Sequence, residues 1–423
     1  MKSKKILITF ITTMLVVSCL AQTRIASPYS RYGIGDLQND KYQKNLSMGG
    51  ISFGYRNSSS INYANPASYT AFDTSSFVFE TGINSRFVQL SSSSMSQKSN
   101  YTSLGYIVLG FPVTKWWGAS VGLLPFSSIG YKISDNENIA NVGNTNYLYE
   151  GEGGLSQFYF GNAFKIFKGF SAGFNASYLF GSLNKIRTVS FPDSISFLNV
   201  RVKNSTIVND ILLNYGLQYE KTLGKNLKMV AGLVFNTPTK LSAKQDSLAY
   251  NFFSVNNAET IKDTLINSLG TKGNITLPQG FGGGITIGKP DNWLLGVDYQ
   301  SQNWEKYSSF GEKDSLKNTW MVSLGAEFIP KSSISSSYLK KIHYRLGARY
   351  NKTYLQLRNN QLSEIAFGFG FGFPLKRSKT SINLGFEIGQ RGTTEANLIK
   401  EKFGRVTLSL SVYEYWFIKR RFD

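Results

Sequence analysis

Residues 169–180 read GFSAGFNASYLF. In an extended chain, Phe170, Ala172, Phe174, Ala176, Tyr178 and Phe180 fall on one side, and Ser171, Gly173, Asn175 and Ser177 on the other. Period-two alternation marks a strand with two unlike faces. The pattern returns at 381–389, where Ile382, Leu384, Phe386 and Ile388 oppose Ser381, Asn383, Gly385, Glu387 and Gly389. It returns again at 365–373, where large apolar residues oppose Ala366, Gly368, Gly370 and Gly372. A soluble sandwich also alternates, but it turns its charged face to water. Here the polar faces are Gly, Ser, Asn and Thr with few charges, which suits an occluded pore inside and lipid outside.

Strands of this kind are expected near 77–90, 101–111, 117–130, 154–165, 169–182, 206–220, 226–240, 276–288, 293–303, 317–329, 341–352, 363–375, 380–391 and 403–418. That gives fourteen, an even number as bacterial barrels require. Connections alternate between tight (112–116, 166–168, 221–225, 289–292, 376–379) and long (131–153, 183–205, 241–275), with 330–340 a long exception. Short turns on one side and long loops on the other fit an outer-membrane barrel. The last strand ends on aromatics, Tyr413 to Phe417, followed by Lys419, Arg420 and Arg421, as at a head-group boundary. The expected fold is all-β: a transmembrane antiparallel β-barrel of about fourteen strands with an N-terminal plug.

The first residues read as a leader: Lys2, Lys4 and Lys5, an apolar run from Ile6 to Val17, and Cys19-Leu20-Ala21 as a small-x-small junction. Val17-Ser18-Cys19 offers a competing lipoprotein reading. The apolar run is too short for a membrane helix of about 20 residues, and no later run approaches that length. Three units are therefore expected: signal peptide 1–21, plug 22–76 and outer-membrane barrel 77–423. Cys19 is the only cysteine, which argues against disulfides, a thiol nucleophile and cysteine metal sites. The formal charge is +20, three of it from the leader lysines. No basic helix or nucleic-acid motif gathers this charge, so the expected neighbours are anionic outer-membrane lipid and lipopolysaccharide, not nucleic acid.

Residues 46–73, LSMGGISFGYRNSSSINYANPASYTAFD, are too polar for a spanning strand and too aromatic for a linker. They read as a compact plug. Three stretches here and later look familiar. Met48-Gly49-Gly50, then Ser58-Ser59-Ser60 and Asn65-Pro66-Ala67, resembles the N-terminal hatch of the FadL-type long-chain fatty-acid transporter family. Val234-Phe235-Asn236-Thr237-Pro238-Thr239 and Leu277-Pro278, before Asp298 and Trp304, are similar to mid-barrel segments of that family. Gly389-Gln390-Arg391-Gly392 with Leu398-Ile399-Lys400-Glu401 resembles a divergent branch. The resemblance implies a fourteen-strand barrel that takes hydrophobic molecules from outside and releases them sideways near a kinked third strand. This chain departs in carrying Arg56-Asn57 where the family has an acidic residue, and in the residues 22–45 ahead of the hatch.

Candidate sites follow. Gly49, Gly50, Asn65, Pro66 and Ala67 are plug or hinge residues, with a rigid Asn-Pro turn as the alternative. Leu124-Pro125 lies mid-strand, where a proline cannot donate to the ladder and a bulge or gap is expected. Asp298, Glu327, Arg345, Arg349, Glu387 and Arg405 fall on polar faces, to hold the plug through Arg31, Asp36 or Arg56, to pair with one another, or to guide an anionic head group. Leu248, Tyr250, Phe252 and Phe253 are expected to contact ligand in a long outer loop. His343 is the only histidine and stands at a strand start, which disfavours a catalytic triad; no enzyme activity, metal or cofactor is expected. The functions that remain are passive uptake of hydrophobic molecules such as long-chain fatty acids, or docking of a secretion or surface-attachment partner.

Overall fold

The computed structural model describes residues 27–38, 42–193, 197–255, 258–314, 316–331, 337–375 and 378–415. The expected signal peptide and the residues after 415 lie outside this set. Fourteen antiparallel strands close into a barrel around residues 27–38 and 42–73. They are β1 (Ser76–Ser91), β2 (Ser96–Pro112), β3 (Trp117–Ile139), β4 (Gly143–Phe167), β5 (Phe170–Ser190) and β6 (Asn199–Leu223). β7 has two segments, Leu227–Asn236 and Thr239–Val255, and β8 has two, Ala258–Leu277 and Gly280–Lys289. β9 (Trp293–Gln302), β10 (Thr319–Phe328), β11 (His343–Leu357), β12 (Asn360–Pro374), β13 (Ser381–Arg391) and β14 (Lys400–Tyr415) complete the ring. β14 pairs with β1 from Lys400–Ser91 to Tyr415–Ser76, so no edge is left at the seam.

The alternation decides which way each strand faces. Along β5, Ser171, Asn175, Ser177 and Leu179 are buried inside, while Tyr178 and Phe180 are exposed outside. The same outer belt carries Phe160, Leu233, Phe281, Leu324, Phe367 and Ile388, each exposed. An apolar belt this continuous is unfavourable in water and favourable in lipid.

Two expectations change. Residues 131–153 and 183–205 are not long loops: β3 runs to Ile139, β4 starts at Gly143, β5 runs to Ser190 and β6 starts at Asn199. Residues 241–275 are not a loop either but a hairpin, with β7 paired to β8 from Thr239–Leu277 to Val255–Ala258. Beyond the apolar belt neither strand face needs to be greasy, so the lipid-facing alternation fades while the ladder continues. Breaks at Thr237-Pro238 and Pro278 divide the belt segments of β7 and β8 from the hairpin, since proline has no N–H to give the ladder.

Candidate functional site

The plug is built from short capped turns. Ser27 caps Pro28–Arg31 by accepting from the Tyr29 N–H, and Asn65 caps Pro66–Ala71 by accepting from the Ala67 N–H. In both, proline takes the first position, where no N–H is needed. Between them lies helix α1 (Gln43–Ser47). Gly49 and Gly50 follow with φ of +65° and +93°, and a Cβ on Gly49 would collide with the carbonyls of Leu324 and Ala348. Only glycine fits there. Asn65 also donates to Phe53 O at 2.8 Å and to Leu217 O at 3.1 Å. Asn65-Pro66-Ala67 is thus an anchored turn in this structure.

Wall side chains bind the plug's backbone. The Asp298 carboxylate accepts from the N–H groups of Ser52 at 2.6 Å and Phe53 at 2.9 Å. Gln218 donates to the carbonyls of Phe53 and Tyr55. Asn175 donates to Tyr63 O and accepts from the Tyr69 hydroxyl. Among the described residues four ion pairs join plug to wall: Lys44–Glu80 at 3.2 Å, Arg56–Glu220 at 3.3 Å, Asp36–Arg391 at 2.7 Å and Asp73–Lys379 at 2.5 Å. Arg391 also holds Glu401 at 2.7 Å and donates to Ser27 Oγ at 2.8 Å. Arg31 lies over the Tyr149 ring instead.

At the plug's exit the Asp73 carboxylate accepts from the Tyr413 hydroxyl at 2.7 Å and from Lys379. Burial opposes its ionisation, but hydrogen bonds from Lys379, Tyr413 and Ser58 outweigh it and hold the carboxyl below its ordinary value. A depressed folded value means the contribution is full above about pH 4 and is lost as pH falls through the folded value. Asp73 is more than a third exposed, so solvent limits the effect to about 1 kcal/mol or less. D73N should therefore lower the hydrogen-exchange protection of residues 72–76 slightly at pH 7. Acidification should reproduce that loss in the wild type and add nothing in D73N.

The other polar-face charges mostly serve one another. Glu327 accepts from Arg345 at 2.6 Å, with His343 Nδ1 3.4 Å away, and Arg345 also donates to Asn383. Arg349 clamps Glu387 with two bonds and reaches Glu364 at 2.9 Å. Arg405 comes only to 3.8 Å from Glu387. The expected partners Asp36 and Arg56 do bind the wall, but through Arg391 and Glu220. Lys44, Glu80, Glu401 and Arg391 were not singled out as charges. Glu80, Arg391 and Glu401 each share the inner face of their strand with a second charge, Arg86, Glu387 and Arg405, and Lys44 lies on α1, so spacing alone does not say which of these charges meets the plug.

β2 and β3 pair only from Ile107–Leu123 to Pro112–Gly118. At Leu124-Pro125 the ladder stops, and β3 bulges on its other side between Pro125 and Ser127. Above this point the plug replaces β2 as the neighbour of β3. Asp36 and Leu37 pair with Ser128 and Ser127, and Ser27 N–H donates to Gly130 O. Between that patched edge and β2 lies an open cleft of about 610 Å³, lined by Tyr101, Leu104, Tyr106, Leu124, Pro125 and Ser128. A narrow passage of about 30 Å³ leads inward past Gln38, Arg86 and Arg405. The same three residues line a lumen cavity of about 270 Å³ under Trp304, Tyr354 and Phe126.

Leu248, Tyr250, Phe252 and Phe253 lie on the β7 hairpin rather than in a loop, and none of them lines these cavities. Tyr250 and Phe252 are buried, the latter under the Arg201 guanidinium. The sequence alone could not distinguish aromatics that brace a hairpin from aromatics that await a ligand.

The fold and this interior define a class: a plugged fourteen-strand β-barrel with a cleft between β2 and β3. The model of the BamG family matches residues 2–423, and the chain belongs to that family. No curated protein matches the chain. Among solved structures it is similar to the Pseudomonas putida toluene transporter TodX at 16% identity and TM-score 0.58, covering 91% of this chain and 100% of that one. The Ralstonia pickettii toluene transporter TbuX matches at 12% identity and TM-score 0.57, covering 88% and 98%. A Pseudomonas aeruginosa FadL homologue matches at 10% identity and TM-score 0.58, covering 89% and 98%. The likeness to a FadL-type fold extends over nearly the whole chain.

Proposed function

We propose that this protein is a channel of the Gram-negative outer membrane that admits hydrophobic small molecules, such as long-chain fatty acids, by passive diffusion. The observation that carries this reading is the break in the ladder at Leu124-Pro125, with a cleft, a passage and a lumen cavity sharing residues in series behind it. Apolar contact contributes about 25 cal/mol per Å² buried, enough for a long acyl chain to bind without an energy source. The toluene transporters TbuX and TodX, which share the fold, support it. The test is uptake of labelled oleate by a deletion strain, by that strain with the gene restored, and by one restored with S103W. Ser103 lines both the cleft and the passage, so an indole there should bring uptake down to the deletion level. Equal uptake in all three strains would remove the transport reading.

A second reading, docking of a secretion or surface-attachment partner, is favoured by the β7–β8 hairpin. Ile261, Leu265, Ile266 and Leu269 are all exposed there, on a strand segment paired along one side by β7. A stoichiometric co-purifying partner, lost when 245–271 are deleted while oleate uptake persists, would favour docking over transport.

A further inference from the structure

We propose that the short-turn rim of the barrel carries a binding surface for anionic phospholipid of the periplasmic leaflet, formed by Lys115, Lys168, Lys221 and Lys225. The partner is a lipid whose phosphate diester has no cation of its own, such as phosphatidylglycerol. The surface lies on the outside of the barrel and stands whether or not the channel reading does.

The four lysines belong to three neighbouring turns. Lys115 lies between β2 and β3, Lys168 between β4 and β5, and Lys225 between β6 and β7, with Lys221 near the end of β6. Backbone bonds set these turns side by side: the Lys165 N–H donates to Trp116 O at 2.8 Å, and the Glu220 N–H to Gly169 O at 2.7 Å. All four lysines are exposed, and among the described residues none has an ion-pair partner. The one acid on these turns, Glu220, is already held by Arg56 at 3.3 Å and by Lys228 at 3.0 Å. Lys289 and Lys331 carry the arc over the next two turns, where the sequence has one acid, Asp291. At the opposite end of the barrel acids and bases mix and pair: Lys132 with Glu150 at 2.9 Å, Arg201 with Glu259 at 2.5 Å and Lys317 with Glu305 at 3.6 Å.

Unpaired lysines alone would suit water. Aromatic side chains fix their depth instead. Trp116 is 53% exposed beside the Phe164 ring at 5.9 Å, and Phe167 is 60% exposed while stacked on Phe170 at 4.8 Å. Exposed aromatics at the end of a spanning strand mark the head-group level. Each sits beside one of the lysines, Trp116 next to Lys115 and Phe167 next to Lys168. Tyr219 and Lys221 share the outer face of β6, so this ammonium stands about 7 Å along the strand from an exposed phenol. A lysine stem can lie along the apolar girdle and keep its charge in the phosphate layer. Short turns mark the periplasmic side, so the layer concerned is phospholipid and not lipopolysaccharide. The girdle favours a membrane over a soluble acidic protein as the partner, because it places the charges where phosphates already lie.

The experiment places the full chain in phosphatidylcholine vesicles with trace spin-labelled phosphatidylglycerol or phosphatidylcholine, and reads the motionally restricted fraction of each. Heat-modifiable mobility on gels checks that each variant has closed its barrel. A lysine at an anionic surface gives about a fivefold local preference, so the wild type should favour phosphatidylglycerol at least about threefold when averaged over the lipid shell. Salt at about 1 M should reduce that preference by screening. Changing the four lysines together to glutamine should bring the ratio toward one, and changing them to arginine should keep it. Changing Lys98, Lys244, Lys262 and Lys313 to glutamine removes the same charge from the opposite side and should leave the ratio as in the wild type. A wild-type ratio of one would overturn the proposal and leave the arc to an acidic soluble partner. Equal loss in the two glutamine variants would also overturn it, since net charge and not this surface would then be responsible. Inorganic phosphate erasing the preference where chloride at equal ionic strength does not would show a site for free phosphate and overturn the lipid.

Discussion

Arg391→Ala should be the most damaging single truncation in the interior. It strands two buried carboxylates, Asp36 on the plug and Glu401 on β14, the latter with no exposed surface. Removing one partner of a buried ion pair typically costs about 3–5 kcal/mol, because the remaining charge is left in a poor solvent. Three further contacts loosen with it: the bond to Ser27 Oγ, the guanidinium over the Tyr29 ring at 5.5 Å, and through Tyr29 the bond to the Ile399 carbonyl. All lie where the plug's first residues patch the edge of β3. R391A should lower the midpoint of urea unfolding in a neutral detergent and expose Arg31 to trypsin. It should also raise leak of small solutes, because Asp36 and Leu37 would leave Ser128 and Ser127. R391K keeps the charge but not the two-pronged geometry, and should recover only part. Adding D36N and E401Q to R391A should restore stability towards wild type if stranded charge is the cause. If the triple variant is no more stable than R391A, lost packing around Tyr29 is the cause instead.

Much of this could be read from the chain. Two-faced strands such as 169–180 fixed the fold class, because lipid outside and an occluded pore inside demand opposite chemistry of successive residues. Pro125 could be read for a similar reason: a missing N–H interrupts a ladder wherever it stands. The reach of β3 to β6 beyond the belt was hidden, since strands bathed in water on both sides need no alternation. The pairings of the interior charges were hidden more deeply. Asp36 and Arg391 lie at opposite ends of the chain, and only the closure of β14 on β1 and the course of the plug bring them together. Arg86 is buried on the inner face of β1, whose outer face carries the exposed Ile83 and Phe87, and its local sequence does not say which charges the barrel's closure sets beside it. Of the glycines at 368, 370 and 372, Gly368 meets the plug's own backbone, Gly370 the Ser47 side chain and Gly372 the side chains of Arg345 and Asn383, and their even spacing does not tell these apart.

That last point gives the second large effect. Gly296, Gly325, Gly347 and Gly368 stand in one row across β9 to β12, each the ladder partner of the next. They form a trough without side chains, and residues 46–51 lie in it. A Cβ on Gly325 would meet the Met48 carbonyl, one on Gly347 the Met48–Gly49 peptide, and one on Gly368 the carbonyls of Leu46 and Ser47. The obstruction is backbone and cannot swing away. Gly49 cannot retreat, being itself against Leu324 and Ala348. Gly347→Val should therefore cost at least about 1–3 kcal/mol of plug seating, the usual range for overpacking. The barrel should survive, because valine suits a strand better than glycine does. Trypsin should then cut at Lys44, which is buried in the native plug, while the barrel stays heat-modifiable. In planar bilayers G347V should show open-channel steps that the wild type lacks. Gly404→Val is the control: a Cβ there meets nothing within 4 Å, so neither protease sensitivity nor conductance should change. If G347V and G404V behave alike, the plug is not seated by this trough, and the wall glycines serve only the curvature of the sheet.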